Sequence, residues 1–197
     1  TYTSDNPYYL LRELVPQNVL SRKYAGGLIG YIGYDAMNYF EPSLKLQTSD
    51  WFDGFRFGVY LDGLIYDKMT GEVIYFYYEE NRIQLVEELL AKPVPAAGDL
   101  QIQPVGEDMS RAQHAEAVET VKQAIIEGKV FQCEVGFKYR FNMQGDAINL
   151  YEQLRQVNPS PQMYYVQFGE QQIIGASPEL LFRLRQGEME TYPLAGT

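Results

Sequence analysis

Residues 162–191 read QMYYVQFGEQQIIGASPELLFRLRQGEMET, and this stretch decides the fold. Gln162–Phe168 and Gln171–Ala176 have the residue mix of strands, with aromatic and β-branched side chains that pack well on a pleated surface. Leu180–Arg185 and Glu188–Thr191 extend the run, with Gly169 and Gly187 at the turns.

Toward the N-terminus the pattern changes to helices with marked ends. Asp146 is placed to cap a helix that runs to about Val157, and Asn158–Pro161 ends it. Lys129–Phe141 has strand character. Before it, Ser110 and Gln113 have capping-box spacing, and Ala117, Val118, Val121, Ala124 and Ile125 form an apolar stripe. Gly128 fits the left-handed residue that closes such a helix. Lys92–Gly106 reads as a linker, since it carries Pro93, Pro95, Gly98, Pro104 and Gly106 and no helical period. Further back lie a short helix over Asn6–Val15 with Leu10, Leu11 and Leu14 on one face, and strands over Phe55–Tyr60, Gly63–Asp67 and Glu72–Tyr78. Lys68–Gly71 turns between the last two, and Glu79–Ala91 reads as a helix. The expected organisation is a segment 1–91, a linker 92–109 and a second segment 110–197. Strand runs broken by a few helices predict an α+β fold with mostly antiparallel sheets.

Composition narrows the function. The 197 residues suffice for one domain or two small ones, and 46% hydrophobic content supports a packed core. Sixteen Lys+Arg against 26 Asp+Glu give a net charge of −10 and no basic stripe, so nucleic acid is excluded as a partner. An acidic chain that binds an anion must build a local positive site from backbone N–H groups, an Arg or a metal ion. The lone Cys133 excludes a disulfide framework and implies a reducing, cytoplasmic compartment. No apolar run has the length of a membrane span, and Asn158 is followed by Pro159, which bars glycosylation there. The start lacks Met and signal-peptide character, so both ends are expected to be trimmed.

Several constellations have a plain reading beside a chemical one. Gly27, Gly30 and Gly33 recur every third residue but lack the dinucleotide fingerprint, and close backbone packing in a strand explains them. His114, the one histidine, reads as a surface or packing residue on a helix, and Cys133 as a small buried hydrophobe in a strand. Glu179 follows Gly175-Ala176-Ser177-Pro178 at a kink between strands, where a carboxyl group either faces a cavity or sits in solvent. Pro193-Leu194-Ala195-Gly196-Thr197 suits close approach of backbone to an anion.

Taken in order, these pieces resemble the chorismate-utilising enzymes: the anthranilate, aminodeoxychorismate, isochorismate and salicylate synthases. The resemblance rests on Gly26-Gly27-Leu28-Ile29-Gly30-Tyr31 with Tyr34-Asp35, and on Glu127-Gly128-Lys129-Val130-Phe131-Gln132. Asn158-Pro159-Ser160-Pro161, Gly175-Ala176-Ser177-Pro178-Glu179 and Pro193-Leu194-Ala195-Gly196-Thr197 follow in the family's order. It covers nearly the whole chain and implies part of the family's fold, antiparallel sheets packed as a sandwich with helices outside. Two positions choose within the family. Isochorismate and salicylate synthases carry a lysine base where Gln132 stands, and an amide cannot take a proton from water near neutral pH. Many aminodeoxychorismate synthases carry a nucleophilic lysine where Ala195 stands, and alanine offers none.

The resemblance therefore implies the large subunit of an anthranilate synthase, which converts chorismate and ammonia to anthranilate and pyruvate at the entry to tryptophan biosynthesis. Aminodeoxychorismate synthase and a non-catalytic chorismate- or effector-binding module are the alternatives. On this basis Glu179 and Gln132 are the catalytic candidates, with Glu179 as general acid. Ala195, Gly196 and Thr197 are the substrate contacts. Asn158, Pro159, Ser160, Pro161, Gln162 and Met163 belong to a tryptophan feedback site. Mg2+ is the implied cofactor, held by glutamates expected beyond residue 197, and a glutamine amidotransferase subunit is the implied partner. The fragment alone is then expected to be inactive. Departures from the family pattern are Gly136 for a frequent Ser, Asn38 near a frequent Arg, Gln162 for a frequent Tyr, and the absence of an upstream Leu-Leu-Glu-Ser stretch.

Overall fold

The computed structural model describes residues 4–15, 25–95, 98–185 and 187–194. The chain divides between Val94 and Pro95 into two units, Thr1–Val94 and Pro95–Thr197. Helices and antiparallel strand pairs alternate through both, as an α+β fold requires. Among the described residues every ladder is two-stranded.

In the first unit, helix α1 (Pro7–Leu14) starts where Asn6 accepts a hydrogen bond from the Tyr8 N–H and Pro7 supplies a helical φ at no cost in donors. Its Leu10, Leu11 and Leu14 line a cleft shared with Leu28, Phe55, Phe57 and Val59, which lie on strands β1 (Gly27–Ile32) and β2 (Phe55–Tyr60). Of the glycine repeat, Gly30 has the close backbone packing expected, whereas Gly27 has open space at its Cβ position and Gly33 lies just past the strand. Gly30 pairs with Phe57, and a Cβ there would run into the Arg56 carbonyl. The connection from β1 to β2 holds a short helical passage absent from the sequence reading, a 3-10 turn over Tyr34–Ala36 that runs into helix α2 (Met37–Phe40). Asn38 organises the loop behind it. Its amide donates to the Leu46 carbonyl and accepts from the Leu46 N–H, both at 2.9 Å, as a ladder residue would. An arginine there has no acceptor to offer.

Strands β3 (Asp62–Tyr66) and β4 (Val73–Tyr77) form a hairpin whose turn is set by Asp67, which accepts from the Met69 N–H at 2.9 Å, and by Gly71 at φ 74°. Helix α3 (Ile83–Leu90) lacks a side-chain cap, and its entry is held from outside. The Arg82 guanidinium grips the Asp62 carboxylate through two nitrogens, with Nε at 2.8 Å, and Tyr75 donates its hydroxyl to the same carboxylate at 2.9 Å. The Arg82 N–H in turn donates to the Tyr75 hydroxyl.

In the second unit, strand β5 (Gln101–Glu107) occupies the part of the chain that reads as linker. It pairs with β6 (Tyr139–Gln144), and the register slips between Pro104 and Gly106. A strand tolerates a residue without an N–H at such a bulge, so the same Pro and Gly that hide the strand in the sequence mark its irregularity. Helix α4 (Arg111–Ile126) has the full Ser110–Gln113 capping box. It closes as a Schellman motif, with Gly128 at φ 72°, its N–H donating to the Ile125 carbonyl and the Lys129 N–H to the Ala124 carbonyl.

The strand expected over Lys129–Phe141 forms only from Tyr139 onward. Residues 130–138 run irregularly, and Val135 and Lys138 are tied to α4 and the end of β5 by bonds outside any ladder. The Lys138 N–H donates to the Asp108 carboxylate at 2.7 Å, and the Asp108 N–H to the Lys138 carbonyl. His114 Nε2 meets the Val135 carbonyl at 3.1 Å, with its ring edge-on to Phe137, which is a packing role. Cys133 is exposed on this strap, so the buried strand position expected of it is corrected. Helix α5 (Ala147–Val157) starts at the Asp146 cap, which accepts from the Ile148 N–H. Strands β7 (Gln162–Phe168) and β8 (Gln171–Ser177) form one hairpin, and β9 (Leu180–Arg185) and β10 (Glu188–Tyr192) the next. Gly169 and Gly187 take φ 63° and 86° at their turns.

The Asp62 clasp gives a test of the first unit. Arg82 first, and then Tyr75, hold the Asp62 carboxyl below its usual range. The clasp therefore stabilises the fold fully above an ordinary carboxylate pKa of about 4 and is lost as pH falls through the depressed value. Asp62→Asn should lower the thermal midpoint at neutral pH, and the gap to wild type should close as pH is taken well below about 4. A gap of constant size across that titration would assign the loss to packing.

Candidate functional site

Glu179 stands between β8 and β9 and is exposed, fixed at its backbone and at its side chain. The Glu179 N–H donates to the Ser177 hydroxyl at 3.3 Å, and that hydroxyl donates to the Glu179 carbonyl at 3.2 Å. One hydroxyl thus brackets the residue across Pro178, whose ring fixes the intervening φ. The carboxylate is anchored separately, with Oε1 accepting from the Leu194 N–H at 3.0 Å.

That last bond joins two motifs 15 residues apart, and the β9–β10 hairpin makes it possible. Tyr192 lies opposite Leu180, so the residues after β10 return to the foot of β9 where Glu179 sits. The register shifts between Glu190 and Tyr192, and Thr191 donates its hydroxyl to the Leu181 carbonyl at 2.8 Å across the irregularity. Higher up, Glu190 lies opposite Arg183, whose guanidinium it binds directly, and it accepts from the Tyr192 hydroxyl at 3.2 Å. Arg183 foremost holds the Glu190 carboxyl below its usual range, so this carboxylate serves the hairpin.

The feedback candidates sit against the same motif. Asn158 ends α5, with its N–H donating to the Leu154 carbonyl. The chain then turns through Pro159-Ser160-Pro161 into β7, where Gln162 pairs with Ser177 and Met163 with Ala176. Next along the ladder Tyr164 pairs with Gly175, and a Cβ at Gly175 would run into the Tyr164 ring. Gly175-Ala176-Ser177 is therefore shaped by the strand that carries Gln162 and Met163.

Gln132 lies elsewhere in this unit, on the exposed strap between α4 and β6. Ala195, Gly196 and Thr197 lie outside the described residues, and the described chain stops at Leu194, one residue before them. Gly136 has open space around its Cβ position, so the family's serine would fit there without displacement. The sequence reading singled out Glu179 but missed Ser177 and Leu194 as its partners. Ser-Pro-Glu carries a local signal for the first, since a serine two residues before a backbone N–H makes a common turn. The Leu194 bond has no local signal and follows from the hairpin register.

No group of three or more His, Cys, Asp or Glu side chains able to hold a metal ion forms among the described residues. Mg2+ asks for about six oxygen ligands in near-octahedral array. Glu179 supplies one carboxylate, already committed at Oε1.

Residues 5–197 match the family model described as chorismate binding enzyme. An anthranilate synthase component 1 from Leptospira biflexa is 47% identical over 199 residues, covering 100% of this chain and 43% of that protein. One from Methanothermobacter thermautotrophicus is 38% identical over 196 residues, covering 100% of this chain and 42% of its own length. The crystal structure of anthranilate synthase component I from Streptococcus pneumoniae TIGR4 superposes with a TM-score of 0.81 at 25% identity, over 95% of this chain and 47% of that one. The chain thus spans less than half the length of these relatives.

Proposed function

The chain belongs to the chorismate binding enzyme family, and on that premise we propose that it carries one wall of the active site of an anthranilate synthase large subunit. The observation that carries this reading is the Glu179–Leu194 bond, which sets a carboxyl group beside the segment that enters Ala195-Gly196-Thr197. Ammonia adds to the ring of chorismate beside its carboxylate, and a new C–N bond forms. The ring hydroxyl leaves with the proton that Glu179 supplies, so that water departs. Elimination of pyruvate then gives anthranilate. Gln132, where water-activating relatives hold a lysine, suits a nucleophile that arrives with its own lone pair. Ala195 leaves no covalent route through that position.

Three further parts of the proposal concern the whole protein. Mg2+ would be held by glutamates in a later stretch of the chain, because the described residues do not fit the ion by themselves. Ammonia would come from glutamine through a separate amidotransferase subunit, since Cys133 and His114 make no pair for glutamine hydrolysis. His114 is engaged with Val135 and Phe137, and Cys133 makes a contact with the Glu134 carbonyl at 3.7 Å. Tryptophan would bind at Asn158–Met163 and reach the site through the ladder, because Gln162 and Met163 pair with the residues that lead into Glu179. No helix among the described residues is long and apolar enough to cross a membrane, and one exposed thiol suits a reducing, cytoplasmic compartment.

Glu179→Gln in the complete enzyme should lower kcat by about 10²–10⁴-fold and leave KM for chorismate little changed, since general acid catalysis acts in the transition state. Turnover near the wild-type rate would remove Glu179 from the mechanism. Anthranilate as the fluorescent product distinguishes this enzyme from an aminodeoxychorismate synthase.

Residues 1–197 alone should bind neither chorismate nor Mg2+ saturably in a calorimetric titration. A dianion gains little from a chain of net charge −10 without the metal. Clear saturation by both ligands would mean that these residues already form a complete site.

A further inference from the structure

We propose that the backbone N–H of Leu194 is a positioning group for the reaction, one that assigns separate duties to the two oxygens of Glu179. Oε1 is the anchored oxygen and Oε2 the one that carries and delivers the proton. The inference rests on the reading of Glu179 as the general acid and goes one step beyond it, to which oxygen acts and what holds it there.

A carboxyl group in its acid form has one O–H and one bare oxygen, and the bare oxygen is the stronger acceptor for a backbone N–H. The Leu194 N–H donates to Oε1 at 3.0 Å. While that bond stands, it favours the proton on Oε2. Without it the two oxygens are equivalent by rotation of the terminal torsion, which is broad for a glutamate, and the proton points in either direction.

The donor itself is held. Tyr192 is fixed by its ladder pairing with Leu180, and Pro193 fixes its own φ. Leu194 therefore presents its N–H from a defined direction, while its side chain is about half exposed. At the other end, the Ser177 hydroxyl brackets the Glu179 backbone from both sides. Backbone and carboxylate are thus tied by different groups, and the torsions between them have little freedom. The residues that follow Leu194 are the substrate-contact candidates Ala195, Gly196 and Thr197. The same bond that orients the acid therefore ties it to the start of the segment that would hold the substrate.

The test removes the N–H and keeps the side chain. In the complete enzyme, with ammonia as nitrogen source, Leu194 is replaced by leucic acid, its α-hydroxy analogue, so that an ester oxygen stands in place of the amide. Leu194→Pro is the genetically encoded counterpart, and if it does not fold the ester decides. The expected result is a fall in kcat of about 10- to 100-fold, the scale of a lost hydrogen bond to an oxygen that becomes part of a carboxylate as the proton leaves, and of a misaligned catalytic group. KM for chorismate should stay within about 2-fold, because the loss is confined to the transition state. In a Glu179→Gln background the ester should cause no further loss, since there is no proton left to direct. A wild-type kcat for the ester in an enzyme that Glu179→Gln disables would overturn the proposal and leave the general-acid reading standing. A loss from the ester that adds in full to that of Glu179→Gln would overturn it too, by assigning the bond a purely structural role. An active Glu179→Gln enzyme would overturn both readings together.

Discussion

Every strand among the described residues bonds to one neighbour, so each carries an outer row of N–H and C=O groups that no ladder here satisfies. A two-stranded ribbon is marginal in water by itself. Helices pack on some of these ribbons, α1 on β2 and α5 on β7 and β8, and a small number of side chains that bond to backbone or to one another tie down the connections. Asn38 completes a one-residue ladder with Leu46, Arg82 and Tyr75 converge on Asp62, and Asp108 takes in Lys138. Glu179 belongs to this series by geometry, since its carboxylate accepts from a backbone N–H as Asp108 does. What sets it apart is its place, at the kink between β8 and β9 rather than at the entry to a helix.

The parts of this fold that were legible in the sequence are those whose physics closes within a few residues. The Ser110–Gln113 box, the Asp146 cap, the Gly128 closure and the glycine turns at Gly71, Gly169 and Gly187 all follow from local backbone demands. Strand β5 was hidden because Pro104 and Gly106 are linker residues by composition, and only a partner strand 32 to 43 residues away makes them a bulged strand. The strap at 130–138 misled in the opposite sense. Its Val130, Phe131 and Phe137 have strand character, yet its backbone partners are Asp108 and His114, which a local pattern cannot reveal. The α2 passage was missed for want of a capping side chain on either helical piece.

The site was legible in its residues and not in its connections. Glu179, Asn158–Met163 and the segment after Pro193 stand out as motifs, while the bonds that bring them together follow from register. The pairing of Gln162 with Ser177 and of Tyr192 with Leu180 depends on hairpin turns that place each residue opposite its partner. A slip of one residue in either hairpin would turn the side chains of that strand to the other face. The irregularity near Thr191 sets how β10 returns, and with it whether the Leu194 N–H meets the carboxylate at all.

All five ladders among the described residues join strands that are consecutive in the chain, and in three of them a short turn is the whole connection. Such an order keeps most pairings close in sequence, and close pairings form quickly because little loop entropy stands against them. On a ribosome the chain emerges from its N-terminus, and each ribbon can close once its second strand has left the tunnel. The β9–β10 ribbon has such a short connection, so the Glu179–Leu194 contact costs little loop entropy and can be sampled while the chain is still growing, to be made lasting by later packing.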